Sequence, residues 1–352
     1  MNVLILPGLI DPHVHLRDPE QTEKEDFLTG TSAALAGGFT TVIDMPNNQT
    51  PITSIHTLDA KVACAKQKSV SNIGFYYGSL GDNLETFNEA SRKTMGLKLF
   101  LNHTTGNFLL DPAFLEKIFR AWPKTSPILF HAENETFDLV LEVLKKNPRP
   151  IHLCHLSTSY ELKKVIGAKE AGLPVSCGVT PHHLFLTKED EITLGPLGLM
   201  KSPLQSTGEV EFLWQHLGAI DVIESDHAPH LLAEKRSETP PYGVPGLETT
   251  LPLLLTEVHK GRLTIDEIIR LCHKNPAEIF NVPTDKNTYT EVNADEEWII
   301  SDEHLLTKCR WSPFHGRPVK GKIKKVVLHG NTVLENGKIL ALPGSGTILK
   351  NE

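Results

Sequence analysis

The chain has little of what would tie it to a membrane, to nucleic acid or to a disulfide framework. Of its 352 residues only five are cysteine, at positions 64, 154, 177, 272 and 309. They are scattered and odd in number, and no CxxC pair occurs. That argues against a disulfide scaffold and fits a reducing compartment, so a cytoplasmic location is expected. No basic segment followed by an apolar core opens the sequence, so no leader peptide is expected. No apolar run is long enough to cross a bilayer, which sets a membrane role aside. The formal charge is -8 and no basic stripe stands out, which argues against a nucleic-acid partner. One or two well-placed cations would still serve a small anionic substrate. Internal repeats and low-complexity tracts are lacking too. What remains, 39% hydrophobic and 22% charged residues, is ordinary for a globular protein of one large or two modest domains.

Histidine is what the sequence does have, and several of the seventeen end apolar runs. The run IDPHVHLRDP, from Ile10 to Pro19, comes first. On a strand, His13 and His15 leave the same face, and Arg17 follows in the same phase. Downstream, short apolar runs alternate with longer amphipathic segments: FTTVIDMPN, NIGFYYGS, GLKLFLN, PILFHAE, PIHLCHLS, LPVSCGVTPHH and AIDVIESDHAPH. With the first run they make eight strands with mostly helical crossovers. Their β-branched, non-alternating composition suits strands buried on both faces. An eight-fold βα barrel of the TIM type closes such a pattern, with its reactive edge at the C-terminal ends of the strands. The barrel is expected over residues 8–312. Residues 1–7 and 313–352 are expected to form a small β appendage, because VKGKIKKVVLHGNTVLENGKIL alternates, with turns at Gly330-Asn331 and Asn336-Gly337. Two irregular stretches, 102–110 and 229–247, follow strands four and eight and read as loops that could border a site.

Six residues fall at these strand ends: His13, His15, Lys98, His131, His155 and Asp226. Any one of them alone is more readily a satisfied core residue than a ligand. Barrel closure would bring all six together. Four imidazoles and a carboxylate favour a zinc-like cation, though manganese, cobalt or nickel would also be accepted. Lys98 is the odd member, since an ammonium repels metal ions and is costly to bury. Taken alone it would reach solvent or pair with a carboxylate. Among the other five it is better read as a neutral amine that adds carbon dioxide. The resulting carbamate is an anion with two oxygens, able to bridge two cations.

These residues, with PGLIDPHVHLRDP, EDFLTGTSAALAGGFTTVIDMPN, HLCHLS, TPHHLFL, SDHAPH and YGVPGLETTLPLLLTEV, resemble the dihydroorotases of the amidohydrolase superfamily, and most closely the dihydroorotase domain of the animal multifunctional pyrimidine-synthesis protein. The resemblance implies reversible closure of N-carbamoyl-L-aspartate to L-dihydroorotate and water, by a hydroxide shared between two divalent ions with an Asp226 proton shuttle. One ion would be held by His13, His15, carboxylated Lys98 and Asp226, the other by Lys98, His131 and His155. Arg17, Asn47 and His230 would hold the ring carboxylate. The backbone near Tyr242 and Gly243 would meet the ring amides, and Thr104 would close over the substrate. The resemblance also allows a homodimer and association with aspartate transcarbamoylase.

Three positions depart from the family. Gly178 stands where relatives often carry glutamate, which with the cysteine at 154 helps some of them hold a third metal, so a third metal is not expected here. Cys154 and His155 are consecutive and would face opposite ways on a regular strand, leaving Cys154 as a packed thiol. Lys201 lies where a substrate-facing arginine or asparagine is common, and keeps the charge without a two-pronged grip. The loop reads HTTGN without the aromatic that follows the threonine in the animal branch. The rival functions are a hydantoinase or allantoinase, on whose uncharged ring a carboxylate clamp is wasted, and a catalytically silent scaffold.

Overall fold

A computed structural model describes residues 3–104 and 108–350. Eight parallel strands run in sequence order: β2 (Leu9–Val14), β3 (Phe39–Asp44), β4 (Asn72–Gly78), β5 (Gly96–Phe100), β6 (Ile128–His131), β7 (Ile151–Leu153), β8 (Val175–Val179) and β9 (Val222–Ile223). Apart from one position on β8 they are buried throughout, as their unbroken apolar composition requires. The ring closes through a parallel bridge between Val14 and His227, with His15 N–H donating to His227 O at 2.8 Å. This is the expected (β/α)8 barrel.

The crossovers are helices whose starts are written locally. Capping boxes at Asp26, Ser54 and Thr158 open α1 (Phe27–Ala36), α2 (Ile55–Lys68) and, four crossovers further on, the helix Ser159–Glu170. Between β4 and β5 lies α3 (Phe87–Lys93), which the pattern of apolar residues did not single out. Asp111 accepts from Ala113 N–H at 2.9 Å, starting a tight turn that runs into α4 (Leu115–Ala121). The eighth strand is shorter than expected, two residues rather than most of AIDVIESDHAPH. His182 and His183 are not on strand β8 but on a short helix, Pro181–Phe185, capped by Thr180.

The second sheet is antiparallel, in the order β1 (Val3–Pro7), β10 (Tyr289–Ile299), β11 (Pro318–Leu328), β12 (Asn331–Glu335) and β13 (Lys338–Ile339). Its longest pairing is between β10 and β11, and β10 lies within the 8–312 span. The β11–β12 loop is His329-Gly330, one residue earlier than expected, and the β12–β13 loop is Asn336-Gly337. All four loop residues have positive φ (50°, 80°, 49° and 77°), which a two-residue hairpin turn of this hand demands. Residues 105–107 of the HTTGN stretch lie outside the described residues. Thr104 is described.

Candidate metal centre

Every parallel strand delivers its last residues to one mouth. β2 carries His13 one residue before its end at Val14, and the chain runs on to His15 and Arg17. Lys98 lies on β5 between Gly78 and Leu129 of the neighbouring strands, and His131 closes β6 opposite Phe100. His155 and Asp226 lie just beyond β7 and β9 with φ of 40° and 46°, the left-handed region that non-glycine residues seldom occupy. This turn of the backbone also corrects an expectation. β7 has ended at Leu153, so strand alternation no longer governs residues 154 and 155. Cys154 therefore points inward, with its Sγ 3.0 Å from Lys98 Nζ, and is not simply a packed thiol.

The imidazoles are held from behind. His13 Nδ1 lies 3.2 Å from Glu224 Oε2, and its Nε2 lies 3.3 Å from Asp226 Oδ1. His15 Nδ1 lies 2.7 Å from Asn47 Oδ1, and its Nε2 lies 3.0 Å from the same Asp226 oxygen. Each ring thus has an oxygen acceptor at both nitrogens, while a neutral imidazole carries one proton. Burial lowers His13 to about 4, so at neutral pH it has no second proton to offer. One nitrogen of that ring consequently faces a carboxylate oxygen with nothing between them. A cation placed there removes the conflict. On the opposite side His131 Nδ1 and His155 Nε2 are 3.0 Å apart, and burial pulls both rings below their ordinary pKa. Among the described residues, two sets each have their ligand atoms within 4.8 Å of one another: His13, His155 and Asp226, and His13, Cys154 and Glu224. The donor set fits divalent metal.

Burial alone would raise the Asp226 carboxyl, but the His13 and His15 imidazoles outweigh it and hold the group well below the usual carboxylate range. Burial pushes the Cys154 thiol up to about 12, so it is protonated. Lys98 is wholly buried, with its ammonium position 4.9 Å from the centre of the Phe100 ring. Among the described residues its hydrogen-bond partner is the Cys154 thiol, and no carboxylate lies within ion-pair distance of it.

Above this floor is a small cavity of about 40 Å³. His13, His15, Arg17, Asn47, Thr104, His131, His155, Lys201, Asp226, Tyr242 and Gly243 line it, joined by Phe100 and Ala228. Of the residues singled out in the sequence, Lys98 lies beneath the lining and His230 behind it. Arg17 Nε donates to Pro229 O at 3.1 Å, and its Nη2 lies 3.1 Å from His230 Nε2. That same His230 nitrogen is 3.0 Å from Tyr242 O, so it either accepts from Arg17 or donates to Tyr242 O and does not do both. Gly243 N–H donates to Leu199 O and Gly243 O accepts from Lys235 Nζ, so this backbone is braced by the protein itself. Lys201 Nζ sits 4.9 Å from the Tyr242 ring centre. Sequence reading passed over Glu224 entirely. The signal was available, because an acid inside the apolar stretch AIDVIESD is as costly to bury unpaired as Asp226 is.

A parallel barrel with histidines, a lysine and an aspartate gathered at its C-terminal mouth defines a class of metal-dependent barrel hydrolases. The model of the Amidohydrolase family matches residues 4–176. The dihydroorotase of Pyrococcus furiosus is 36% identical over 368 residues, covering 99% of this chain and 85% of that protein. The chain belongs to the amidohydrolase family. It is also 43% identical over 343 residues to the multifunctional protein CAD of Squalus acanthias, covering 97% of this chain but only 15% of that much longer protein. Among solved structures, an L-hydantoinase (dihydropyrimidinase) from Arthrobacter aurescens shares the fold with a TM-score of 0.93 at 24% identity, over 99% of this chain and 89% of that one. The inactive dihydroorotase-like domain of a Chaetomium thermophilum CAD-like multifunctional protein superposes with a TM-score of 0.85 at 26% identity, over 99% of this chain and all of that one.

Proposed function

We propose that this chain is a dihydroorotase, interconverting N-carbamoyl-L-aspartate and L-dihydroorotate. The observation that carries the proposal is Arg17: a buried guanidinium, fixed by Pro229 O and beside His230, on the wall of the cavity that His13, His15 and Asp226 floor. A ring with a carboxylate substituent uses such a cation, and an uncharged hydantoin ring does not. The curated relatives bearing this activity in their names support the same choice.

His13, His15, Asp226 and a carboxylated Lys98 would hold one divalent ion, and Lys98, His131 and His155 a second, with zinc the first choice for such donors. Carboxylation fits Lys98, because an ammonium that has a thiol and the Phe100 ring beside it, and no carboxylate among the described residues, is poorly compensated, whereas a carbamate anion is matched by cations. When bound, a pair of divalent ions supplies Lewis acidity toward a carbonyl oxygen and a water that ionises near neutral pH. Asp226, kept ionised by its histidines, takes the proton of the attacking water. It returns that proton to the ring nitrogen as the C–N bond breaks. In the biosynthetic direction Asp226 removes the proton from the carbamoyl nitrogen as that nitrogen bonds to the side-chain carboxyl carbon, and returns it to the departing hydroxyl, which leaves as water. Arg17 holds the substrate carboxylate by paired hydrogen bonds. His230 and the amide nitrogen of Asn47, whose oxygen is engaged with His15, complete that pocket, and Thr104, Lys201, Tyr242 and Gly243 form its rim.

The catalytic unit is assigned to residues 8–312, with 1–7 and 313–352 as the appendage. β10 then belongs to the first by position and to the second by pairing. Kinship with multifunctional pyrimidine proteins suggests association with an aspartate transcarbamoylase, and a homodimer is the assembly to test first. The decisive experiment gives metal-loaded protein dihydroorotate, hydantoin, dihydrouracil and allantoin in parallel. Turnover confined to dihydroorotate is expected. Preference for an uncharged ring would make it a hydantoinase, and metal binding without turnover of any of them a silent scaffold.

A further inference from the structure

Glu224 is wholly buried at the end of β9, and the proposed chemistry does not use it. Its carboxylate reaches both halves of the centre. Oε2 lies 3.2 Å from His13 Nδ1, and Oε1 accepts the His155 backbone N–H at 2.5 Å. A third imidazole, His152, has its Nε2 3.5 Å from Oε2. Burial would raise this carboxyl, but His13 and His152 hold it well below its ordinary range.

The space for this side chain comes from the neighbouring strand. Gly178 on β8 pairs with Val222. A Cβ added at Gly178 would collide with Glu224 Oε1 and stand 2.6 Å from its Cδ and 3.1 Å from its Cγ. The φ of Gly178 is outside the left-handed region, so its backbone suits any L residue. Glycine is therefore required at 178 by the volume of Glu224 and not by conformation. A side chain leaving position 178 would point at the spot that the Glu224 carboxylate already holds.

We propose that Glu224 is the positioning residue of this centre: it fixes the His13 tautomer with Nε2 free for a cation and pins the backbone of His155, and positions 178 and 224 form a reciprocal pair from which one carboxylate can be supplied by either strand. A carboxylate on the far nitrogen of a ligating histidine fixes its proton and its orientation. The inference rests on the two-ion reading of the site, and not on the identity of the substrate.

The test is a zinc titration against a chromogenic chelator, with stoichiometry at saturation, on the wild-type chain, Glu224→Ala, Glu224→Gln and the double variant Glu224→Ala/Gly178→Glu. Glu224→Ala should weaken zinc binding by about 10–100-fold while the saturating stoichiometry stays that of the wild type. The double variant should recover at least about tenfold of that loss. Gly178→Ala with Glu224 retained should lower the melting temperature. If Glu224→Ala does not fold, Glu224→Gln keeps the volume and is read in the same titration, again with weakened binding expected. Unchanged zinc affinity in the folded variant overturns the proposal. So does the loss of one whole equivalent at saturation, which would make Glu224 a ligand of an additional ion together with Cys154. A wild-type chain that binds two ions but does not turn over dihydroorotate would remove the substrate assignment and leave this inference standing.

Discussion

The floor and the rim of the barrel mouth are built on different terms. Lys98, His131 and His13 on the floor expose 0%, 1% and 1% of their surface, whereas Tyr242 on the rim exposes 40%, and Lys201 and Thr104 are half-buried. Floor residues come from the ends of parallel strands and are fixed by carboxylates and an amide behind them, such as Glu224 and Asn47. Rim residues come from the loops after β2, β5, β8 and β9, and several are held by scattered backbone carbonyls. Lys235, for example, gathers the carbonyls of Leu199, Pro241 and Gly243 at 2.9, 2.9 and 3.1 Å to shape the rim from beneath. The difference teaches that ion chemistry needs a dry, rigid base, while the groups above it range from buried Arg17 and His230 to exposed Tyr242.

Substitutions can break this division, and the largest effect belongs to the floor. Asp226→Asn should lower kcat by about 10²–10⁴-fold, the range for removing a positioned general base. Circular dichroism should be preserved, and turnover is compared at metal content matched to the wild type, because Asp226 is also assigned as a ligand. Near-normal turnover of a metal-loaded Asp226→Asn protein would show that the proton travels by another group.

Arg17→Met comes next and belongs to the rim. Losing a charge-assisted grip worth about 1.5–3 kcal/mol should raise KM for dihydroorotate by roughly 10–100-fold. Bound metal, measured by atomic absorption, should not change. Equal damage to KM and to metal content would place Arg17 in the floor and dissolve the distinction.

Asn47→Ala sharpens the comparison, because Asn47 serves both levels. Its oxygen lies 2.7 Å from His15 Nδ1, and the residue lines the cavity beside Arg17. About tenfold weaker metal binding is expected together with a higher KM, at the low end of the range for partners behind a ligand. A change in KM alone would mean that His15 keeps its tautomer without this partner.

Glu248→Gln lies outside both levels and should leave turnover unchanged. Burial raises the Glu248 carboxyl to about 7, although the N–H groups of Leu306 and Thr307 act to lower it. A raised carboxyl favours folding fully below its unfolded value of 4.5, and that support is lost as pH rises toward 7. The wild type should therefore lose stability relative to Glu248→Gln between about pH 4.5 and 7, by about 3 kcal/mol at most. Melting temperatures of the two proteins across that window measure it. A constant difference between the two curves would show that Glu248 titrates normally.

Legibility followed the same division as the mouth. The eight strands could be read because residues buried on both faces must be apolar along their whole length. The floor could be read because a histidine, lysine or aspartate stands out against such a run. Cys154 was misread because alternation was extended past the end of β7, where the φ of His155 had already turned the chain. Glu224 was missed because it precedes Asp226 by two residues, and a single acid at that strand end was taken as sufficient. β10 escaped notice because its buried residues alternate only over its first half, and the rest of the strand faces outward.

What the order of residues determined alone was which side chains lie at strand ends, since strand length and burial are local consequences of composition. Which ring nitrogen meets which oxygen was decided only in three dimensions. His13 and Glu224 are 211 positions apart, and no local pattern joins them until barrel closure sets β2 beside β9. The vacancy at Gly178 likewise has meaning only once a carboxylate from the next strand is seen to occupy it.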